Sequence, residues 1–146
     1  ELAKKLLEKA YEKMKNSLSP IFTEKLSKNI SKITRGKYTN LYFSDEQGLT
    51  VELDSGNYVP AERLSIGTID QLYLSLRLAM LDDISKEKVP LILDETFAYY
   101  DNDRLKNILV YLTTEFKDRQ IIIFTCTNRE KDILKRLSVD YNYVEL

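Results

Sequence analysis

Two acidic residues at the end of an apolar segment are the first candidates for chemistry in this sequence. Asp94 and Glu95 directly follow the run Leu91-Ile92-Leu93. Carboxylates in that position can hold a divalent metal ion and polarise an attacking water molecule. Two carboxylates at the end of a buried strand are costly to desolvate unless a metal or hydrogen bonds compensate. The pair therefore indicates a metal-dependent site, and the alternative is that both acids only cap the following turn.

A second candidate is the segment Leu64-Ser65-Ile66-Gly67-Thr68, which comes before an amphipathic pattern. Gly67 lets the backbone approach a ligand, Ser65 offers a hydroxyl, and the first N–H groups of a helix lack partners within that helix. Together they can bind the terminal phosphate of a nucleotide. The alternative is that Ser65 is only the N-cap of the helix. The acidic strand end that follows in the chain favours the phosphate site.

The order of these motifs resembles the C-terminal ATPase lobe of SMC-like and SbcC-type ABC ATPases, which are coiled-coil proteins of chromosomes and DNA repair. The LSxGT form of the signature motif of that family is matched by Leu64, Ser65, Gly67 and Thr68. The Walker B strand of the family is matched by residues 91–95. Residues 98–101 match the position of the family's D-loop, which crosses the interface between two heads.

The resemblance implies a role for each matched residue. Asp94 holds Mg²⁺ through water, and Glu95 is the general base for the hydrolysis of ATP. The signature residues bind nucleotide that a second head holds, and they are Ser65, Gly67 and Thr68. Asp101 is the D-loop acid, and its alternative role as a helix N-cap is compatible with that one.

One position departs from the family pattern. Related ATPases often carry a switch histidine after the next strand, where this sequence has Thr127, and the chain contains no histidine at all. A threonine hydroxyl can hydrogen-bond a phosphate oxygen, but it cannot carry a proton or a positive charge. Thr127 is therefore a candidate phosphate sensor, and its presence bears on the rate of hydrolysis more than on nucleotide contact.

No Walker A loop is present, because the only Gly-Lys pair, Gly36-Lys37, lacks the glycine and the hydroxyl residue that the motif needs. In the resembling family, that loop lies on an N-terminal lobe across a long coiled coil. We therefore expect ATP hydrolysis only when the chain is joined to that lobe of the same protein. The resemblance further implies a second head as homodimer partner, with DNA and a nuclease as further partners.

Hydrophobic periodicity predicts an α/β fold around these motifs. The resemblance implies, more narrowly, the C-terminal lobe of an ABC-type, P-loop NTPase-like head, with a parallel or mixed sheet, flanking helices, a β-hairpin lead-in and an N-terminal coiled-coil root. Residues 1–33 would form the base of the coiled-coil arm and a lead-in helix, and residues 34–146 the lobe. The predicted helices are 1–16, 21–33, a segment from the signature to about 82, 102–116 and 129–137. The predicted strands are 38–43, 49–53, 89–93, 120–124 and 139–144.

Three expectations concern burial. The strand 89–93 lacks polar alternation, so we expect it to be covered on both faces. The single cysteine, Cys126, excludes an internal disulfide and is expected to be buried. The helix after the signature is expected to bury one stripe, formed by Ile69, Leu72, Tyr73, Leu76, Ala79 and Met80.

Composition bounds the class of protein. The 146 residues, 43% hydrophobic and 31% charged with a net charge of -1, predict one globular domain. Residues 1–37 carry 10 Lys and Arg against 4 Asp and Glu, and the remainder carries 12 against 19. This asymmetry indicates a DNA-binding face or, alternatively, a solvated helix surface. Without a long apolar run or a signal peptide, we expect a cytoplasmic protein without membrane contact.

The sequence thus predicts half of an SMC-like head that dimerises around ATP and moves coiled-coil arms in DNA repair or chromosome maintenance. Because the chain begins at Glu1 within a helical pattern, we expect it to be part of a longer protein. Two alternatives stay open, a non-catalytic regulatory head and an ABC-type ATPase of another system, such as transport or anti-phage defence. The DNA substrate and the partner protein are not specified by the residues.

Overall fold

The computed structural model describes residues 20–44, 48–84 and 87–145. The helices are α1 (Pro20–Ile33), α2 (Ile66–Ile84), α3 (Asn102–Glu115) and α4 (Arg129–Arg136). The strands are β1 (Tyr38–Ser44), β2 (Gly48–Leu53), β3 (Tyr58–Pro60), β4 (Leu91–Asp94) and β5 (Ile121–Phe124). A 3-10 turn, Ala61–Arg63, connects β3 to the segment before α2. The predicted helix 1–16 lies outside the described residues.

The predicted hairpin lead-in is confirmed, and it is extended by a third strand. The antiparallel order is β1-β2-β3, with Leu41 opposite Val51 and Val51 opposite Val59. Helix α1 ends before Gly36, whose φ is +79° and whose N–H donates to the Ser31 carbonyl at 2.7 Å. This backbone conformation is one that glycine adopts without strain, so the chain can turn directly from α1 into the sheet.

A parallel pair of strands forms the second sheet and confirms the predicted parallel arrangement. In this pair Leu91 lies opposite Ile121 and Asp94 opposite Phe124. Leu91 and Leu93 are buried, but Ile92 between them is 62% exposed and Phe124 is 47% exposed. The expectation that strand 89–93 is covered on both faces was therefore wrong. In the described part of the chain, α2, α3 and α4 supply the core against one face only.

Two hydrophobic cores meet at α2. One joins α2 to β4, β5, α3 and α4, and it includes Leu74, Leu78, Leu93, Leu105, Ile108 and Leu112. The other joins α2 to α1 and the antiparallel sheet, and it includes Leu26, Ile30, Tyr38, Leu41, Val51, Leu72 and Ala79. Helix α2 therefore packs against both sheets, because it buries apolar surface on two of its sides.

Packing on two sides explains why the predicted stripe on α2 was partly wrong. Leu72 and Ala79 are buried as expected, but Tyr73 is 58% exposed and Met80 is 40% exposed. The second buried side consists instead of Leu74 and Leu78, together with polar residues nearer the helix start. A single-stripe pattern assumes one buried face, whereas this helix has two.

The predicted last strand, 139–144, is also absent. The chain is irregular there, and the N–H of Val139 bonds the carbonyl of Leu134 at 3.1 Å, which continues the turn after α4. Tyr143 and Val144 are exposed, and the Lys131 ammonium lies 4.0 Å from the centre of the Tyr143 ring. Residues 139–144 have no neighbouring strand in the described residues, so their backbone has no strand to pair with. No described helix is both long and apolar enough to cross a bilayer.

Candidate functional site

The acidic strand end leads into a tight loop formed by residues 95–101. Glu95 has a φ of +46°, which is rare for a residue with a side chain. The N–H of Glu95 still pairs with the Phe124 carbonyl at 3.0 Å, and the Glu95 carbonyl accepts from Ala98 N–H at 3.2 Å. Asp94 and Glu95 are both exposed. The backbone therefore turns at the last paired residue, and both carboxylates stay in contact with solvent.

The Glu95 carboxylate is oriented by the turn that follows β5. The backbone N–H of Cys126 donates to Glu95 Oε1 at 2.5 Å. The carboxylate in turn raises the pKa of the Cys126 thiol, first through a side-chain hydrogen bond and then through its charge. Cys126 is exposed, so the expectation of a buried thiol was wrong. The reason is that β5 ends at Phe124, which leaves Cys126 in the turn beyond the sheet.

The segment before α2 has the geometry of a helix start. The Ser65 carbonyl accepts the N–H groups of Thr68 and Ile69 at 2.8 and 3.0 Å. The Ser65 hydroxyl lies 2.9 Å from the hydroxyl of Thr68, so the two side chains share a hydrogen bond. Ser65 is exposed, and Thr68 is buried. Ser65 thus stands at the N-cap position, and its hydroxyl bonds a side chain rather than the backbone.

Gly67 brings the two motifs into contact. A Cβ atom at this position would lie 2.6 Å from the Tyr99 carbonyl oxygen and 2.6 Å from Arg104 Nη1. Both distances are shorter than van der Waals contact, so a side chain would force the loop 95–101 away from α2. The sequence predicted that Gly67 permits close approach of a ligand. In the structure, its missing side chain permits close approach of the loop that follows the acidic strand end.

Arg104 is the functional candidate that the sequence analysis missed. Arg104 lies on α3, and its guanidinium donates to two hydroxyls at the start of α2. The distances are 3.4 Å to Ser65 Oγ and 3.2 Å to Thr68 Oγ1. The only sequence signal for it is its place three residues after Asp101, in the first turn of a helix. Nothing in that spacing indicates contact with a segment so distant along the chain.

Asp101 caps α3. Its Oδ1 accepts the Arg104 N–H at 2.8 Å, and its Oδ2 lies 3.4 Å from Arg104 Nε. The N-cap role that the sequence left open is therefore present in the structure. The D-loop role stays a prediction, and the exposure of the Asp101 side chain leaves it accessible to a partner.

Arg129 holds the loop 95–101 through two of its backbone carbonyls. Its guanidinium donates to the Tyr100 carbonyl at 2.7 Å and to the Phe97 carbonyl at 3.1 Å. The rings of Phe97 and Tyr100 are buried in the core. Burial raises the pKa of Tyr100, Asp70 raises it further, and Arg104 opposes them. The loop is thus fixed by two arginines and two buried rings, so the carboxylates stand on a rigid base.

The Thr127 hydroxyl is already engaged. It donates to Glu130 Oε2 at 2.8 Å, and Thr125 donates to the same oxygen at 3.1 Å. Glu130 is buried, so these hydrogen bonds compensate its desolvation. A hydroxyl has one proton, and phosphate oxygens are acceptors, so Thr127 would have to release Glu130 to donate to a phosphate. Thr127 as a phosphate sensor stays a prediction that requires this exchange.

The metal role of Asp94 fits a shared site. Among residues 20–44, 48–84 and 87–145, no group of three or more His, Cys, Asp or Glu side chains is arranged to hold an ion. Mg²⁺ is commonly bound by one or two carboxylates together with waters and substrate phosphates. The exposed carboxylate of Asp94 fits that mode, in which nucleotide completes the coordination.

Comparison with known proteins gives one long relative. No protein-family model matches the chain. In an alignment 135 residues long that covers 90% of the chain, it is 32% identical to the uncharacterized protein YhaN of Bacillus subtilis (strain 168). The match covers 14% of that protein. The chain therefore corresponds to a small part of a much longer relative.

Several solved structures share the fold. The SMC head domain from Thermotoga maritima matches 84% of this chain and 43% of its own, with a TM-score of 0.61 and 17% identity. The Smc head of Pyrococcus furiosus bound to the C-terminal domain of ScpA matches 77% and 30%, with a TM-score of 0.57 and 16% identity. A structure from work on ATP-driven dimerization and DNA-stimulated activation of SMC ATPases matches 77% and 71%, with a TM-score of 0.62 and 16% identity.

Replacing Gly67 tests the contact between the motifs. Alanine is usually favoured over glycine in a helix by about 1 kcal/mol. Because the added Cβ would overlap the Tyr99 carbonyl, Gly67→Ala should instead lower the free energy of unfolding by about 1–3 kcal/mol. Denaturant unfolding of the two proteins measures the difference. A more stable variant would show that the loop does not approach the helix this closely.

Alkylation of Cys126 tests the position of the Glu95 carboxylate. Because the carboxylate raises the pKa of the thiol, Glu95→Gln should lower that pKa and speed reaction with iodoacetamide several-fold near pH 8. The rates should converge at a pH above both pKa values, where the thiol is ionised in both proteins. Asp94→Asn is the matched control, since Asp94 is not among the groups that raise the thiol pKa. Equal acceleration in both variants would mean that Glu95 does not face Cys126.

Proposed function

We propose, on the premise that this chain has the fold of SMC head domains, that it is half of an ATP-binding head. Residues 34–146 would form the C-terminal lobe, and residues 1–33 the base of a coiled-coil arm. Two such heads, as a homodimer, close around ATP and hydrolyse it. The arms carry the resulting motion to DNA in repair or chromosome maintenance, with a nuclease as a further partner. The activity depends on a Walker A-bearing N-terminal lobe of the same protein.

The contact between the signature segment and the loop 95–101 is the observation that carries this proposal. Gly67 lies against the Tyr99 carbonyl, and Arg104 links α3 to Ser65. The groups suited to nucleotide chemistry remain exposed on both motifs, namely the Ser65 hydroxyl and the Glu95 carboxylate. An exposed hydroxyl and an exposed carboxylate beside one glycine contact are the groups that the proposed chemistry needs.

The uncovered face of β4 and β5 supports the need for a second lobe. Ile92 and Phe124 lie on this face and are exposed, although a parallel sheet is usually covered on both sides. Apolar residues of a parallel pair gain stability when another layer covers them. We assign this face to the N-terminal lobe, which would cover it and bring the loop that holds the other phosphates.

The proposed hydrolysis of ATP follows from the positions of the hydrogen-bond donors and the two carboxylates. Bound Mg²⁺, held through Asp94 and water, would supply positive charge that stabilises the phosphate oxygens. Glu95 accepts a proton from the attacking water, and its orientation is set by the Cys126 N–H. Ser65 and the start of α2 donate hydrogen bonds to the terminal phosphate of nucleotide that the other head holds. Each head thus contributes Asp94 and Glu95 to one nucleotide site and Ser65 to the nucleotide site of the other head.

Glu95→Gln in the full protein tests the catalytic assignment. A glutamine cannot accept the proton, so the hydrolysis rate should fall by about 10²-fold or more. The variant should at the same time accumulate as an ATP-bound dimer, which sedimentation velocity measures with and without ATP. Asp140→Asn, an exposed acid in the irregular C-terminal segment, is the control and should behave as wild type. Hydrolysis at the wild-type rate by Glu95→Gln would remove Glu95 as the base.

A non-catalytic regulatory head is the second candidate, and the bonding of Thr127 favours it. The hydroxyl donates to the buried carboxylate of Glu130, so no side chain at this position is ready to contact the terminal phosphate. Such a head would close around ATP but hydrolyse it negligibly. Single-turnover hydrolysis with the N-terminal lobe present separates the two functions, because only the first releases phosphate within the lifetime of the dimer.

The proposal of DNA binding rests on the excess of basic residues in segment 1–37. Charge reversal within this segment tests it. Lys28 and Lys37 are exposed, whereas Lys32 is paired with Glu115 at 2.7 Å. The double change of Lys28 and Lys37 to Glu should weaken binding to duplex DNA. The dependence of log K on log salt should become shallower by about 0.9 for each phosphate that the variant no longer neutralises.

Lys106 and Lys117 supply the matched control for the charge reversal. Both are exposed, and their change to Glu alters the net charge of the chain equally. Because they lie on α3 and in the turn after it, they should leave the affinity for DNA and its salt dependence unaltered. An equal effect of both double variants would show that only net charge matters and would remove the assigned DNA face.

A further inference from the structure

We propose that Arg104 is a positioning residue that turns the Ser65 hydroxyl outward as a hydrogen-bond donor. Its acceptor would be the terminal phosphate of a nucleoside triphosphate held by a second copy of the head. The proposal rests on the proposed function of the signature segment and adds to it a residue from another helix. It also connects Asp101 to that segment within the same head.

The guanidinium of Arg104 reaches both hydroxyls of the signature segment. Its Nη2 lies 3.2 Å from Thr68 Oγ1 and its Nη1 lies 3.4 Å from Ser65 Oγ. The two hydroxyl oxygens are 2.9 Å apart. The guanidinium fits beside the helix start because Gly67 has no Cβ, which would lie 2.6 Å from Nη1. Arg104 therefore occupies space that the glycine leaves open.

The chemistry of the three groups fixes the direction of the two Arg104 bonds and favours one direction for the third. A guanidinium only donates, so both hydroxyl oxygens act as acceptors toward Arg104. The 2.9 Å contact between the two hydroxyls allows either one to donate. We assign the donor to Thr68, because Thr68 is buried and its single proton needs an acceptor nearby, which Ser65 Oγ provides. Ser65 then accepts from both neighbours, and its own proton is directed to its exposed side. The chain of bonds from Arg104 through Thr68 makes Ser65 a polarised outward donor.

The charges at this point favour an anion. The Arg104 guanidinium lies at the start of α2, where the helix dipole is positive, and two positive ends repel each other. Asp101 is its ion-pair partner in the described residues, at 3.4 Å, and the Asp101 side chain is 62% exposed and therefore screened. The site thus offers a hydroxyl and helix N–H groups to one acceptor, and the nearby guanidinium adds positive charge.

The link to Asp101 makes the donor sensitive to the loop 95–101. Asp101 holds the Arg104 backbone N–H at 2.8 Å and faces its Nε, so the guanidinium follows the N-cap of α3. A partner head that engages Asp101 would shift or release this guanidinium. Release of Arg104 would leave Thr68 without its donor and would free Ser65 to rotate. The two interface motifs of one head are thereby coupled through a single side chain.

Arg104→Gln in the full protein, in the Glu95→Gln background, tests this inference without hydrolysis. The ATP concentration that gives half-maximal dimer should rise by roughly tenfold or more, since charged hydrogen bonds are removed. Lys106→Gln removes the same charge from the same helix and should stay within about twofold of the parent. Arg104→Lys, which keeps the charge but reaches one hydroxyl at most, should lie between the two. A tenfold effect of Lys106→Gln equal to that of Arg104→Gln would reduce the role of Arg104 to net charge.

A double-mutant cycle with Ser65→Ala separates positioning from a structural role. If Arg104 acts through Ser65, Arg104→Gln should add less than about twofold once Ser65 is alanine. Full additivity would overturn the inference, and so would an Arg104→Gln variant that dimerises as the parent does while Ser65→Ala does not. A parent protein that shows no ATP-dependent dimer would instead overturn the proposed function and this inference together. Thermal unfolding of each variant shows whether a loss of dimer reflects a loss of fold.

Discussion

The close approach of one loop to one helix is the constraint on which the rest of this structure depends. The Tyr99 carbonyl lies where a side chain at position 67 would be, so the loop after β4 and the start of α2 are positioned as one unit. Arg104 and Arg129 secure that unit through their bonds to Ser65 and to the Tyr100 carbonyl. Because backbone atoms make the contact, the spacing between the two motifs tolerates little adjustment.

Helix α2 converts this local contact into a domain. It packs against the parallel pair on one side and against the antiparallel sheet on the other. A displacement of either core would therefore move the start of α2, where Ser65 lies. In a head of the proposed kind, this arrangement would let α1 and the nucleotide interface influence each other, because α1 packs directly against α2. Such coupling needs no long chain of intermediates, since one rigid helix spans the distance.

The parts of the site that the sequence predicted are those in which neighbouring residues make the chemistry. The helix start at Ser65, the strand that ends at Asp94 and the cap at Asp101 each depend on a few adjacent positions. The local pattern therefore indicated them correctly.

What could not be predicted depends on contacts between distant segments. The reach of Arg104 to Ser65 and the capture of Thr127 by buried Glu130 require the packed helices. The exposure of Ile92 was missed for a related reason. An apolar strand in a sequence carries no mark that distinguishes a face covered by the surrounding helices from a face that they leave exposed.

The left-handed backbone of Glu95 has a further meaning for how this chain balances stability against chemistry. A φ of +46° is one that glycine or asparagine adopts more easily, and a glutamate there costs on the order of 1 kcal/mol. Selection for thermal resistance alone would therefore drive this position away from an acid. Glycine or asparagine at position 95 would relieve this cost only by removing the carboxylate that accepts the Cys126 N–H, so greater stability and this hydrogen bond cannot both be gained at one position.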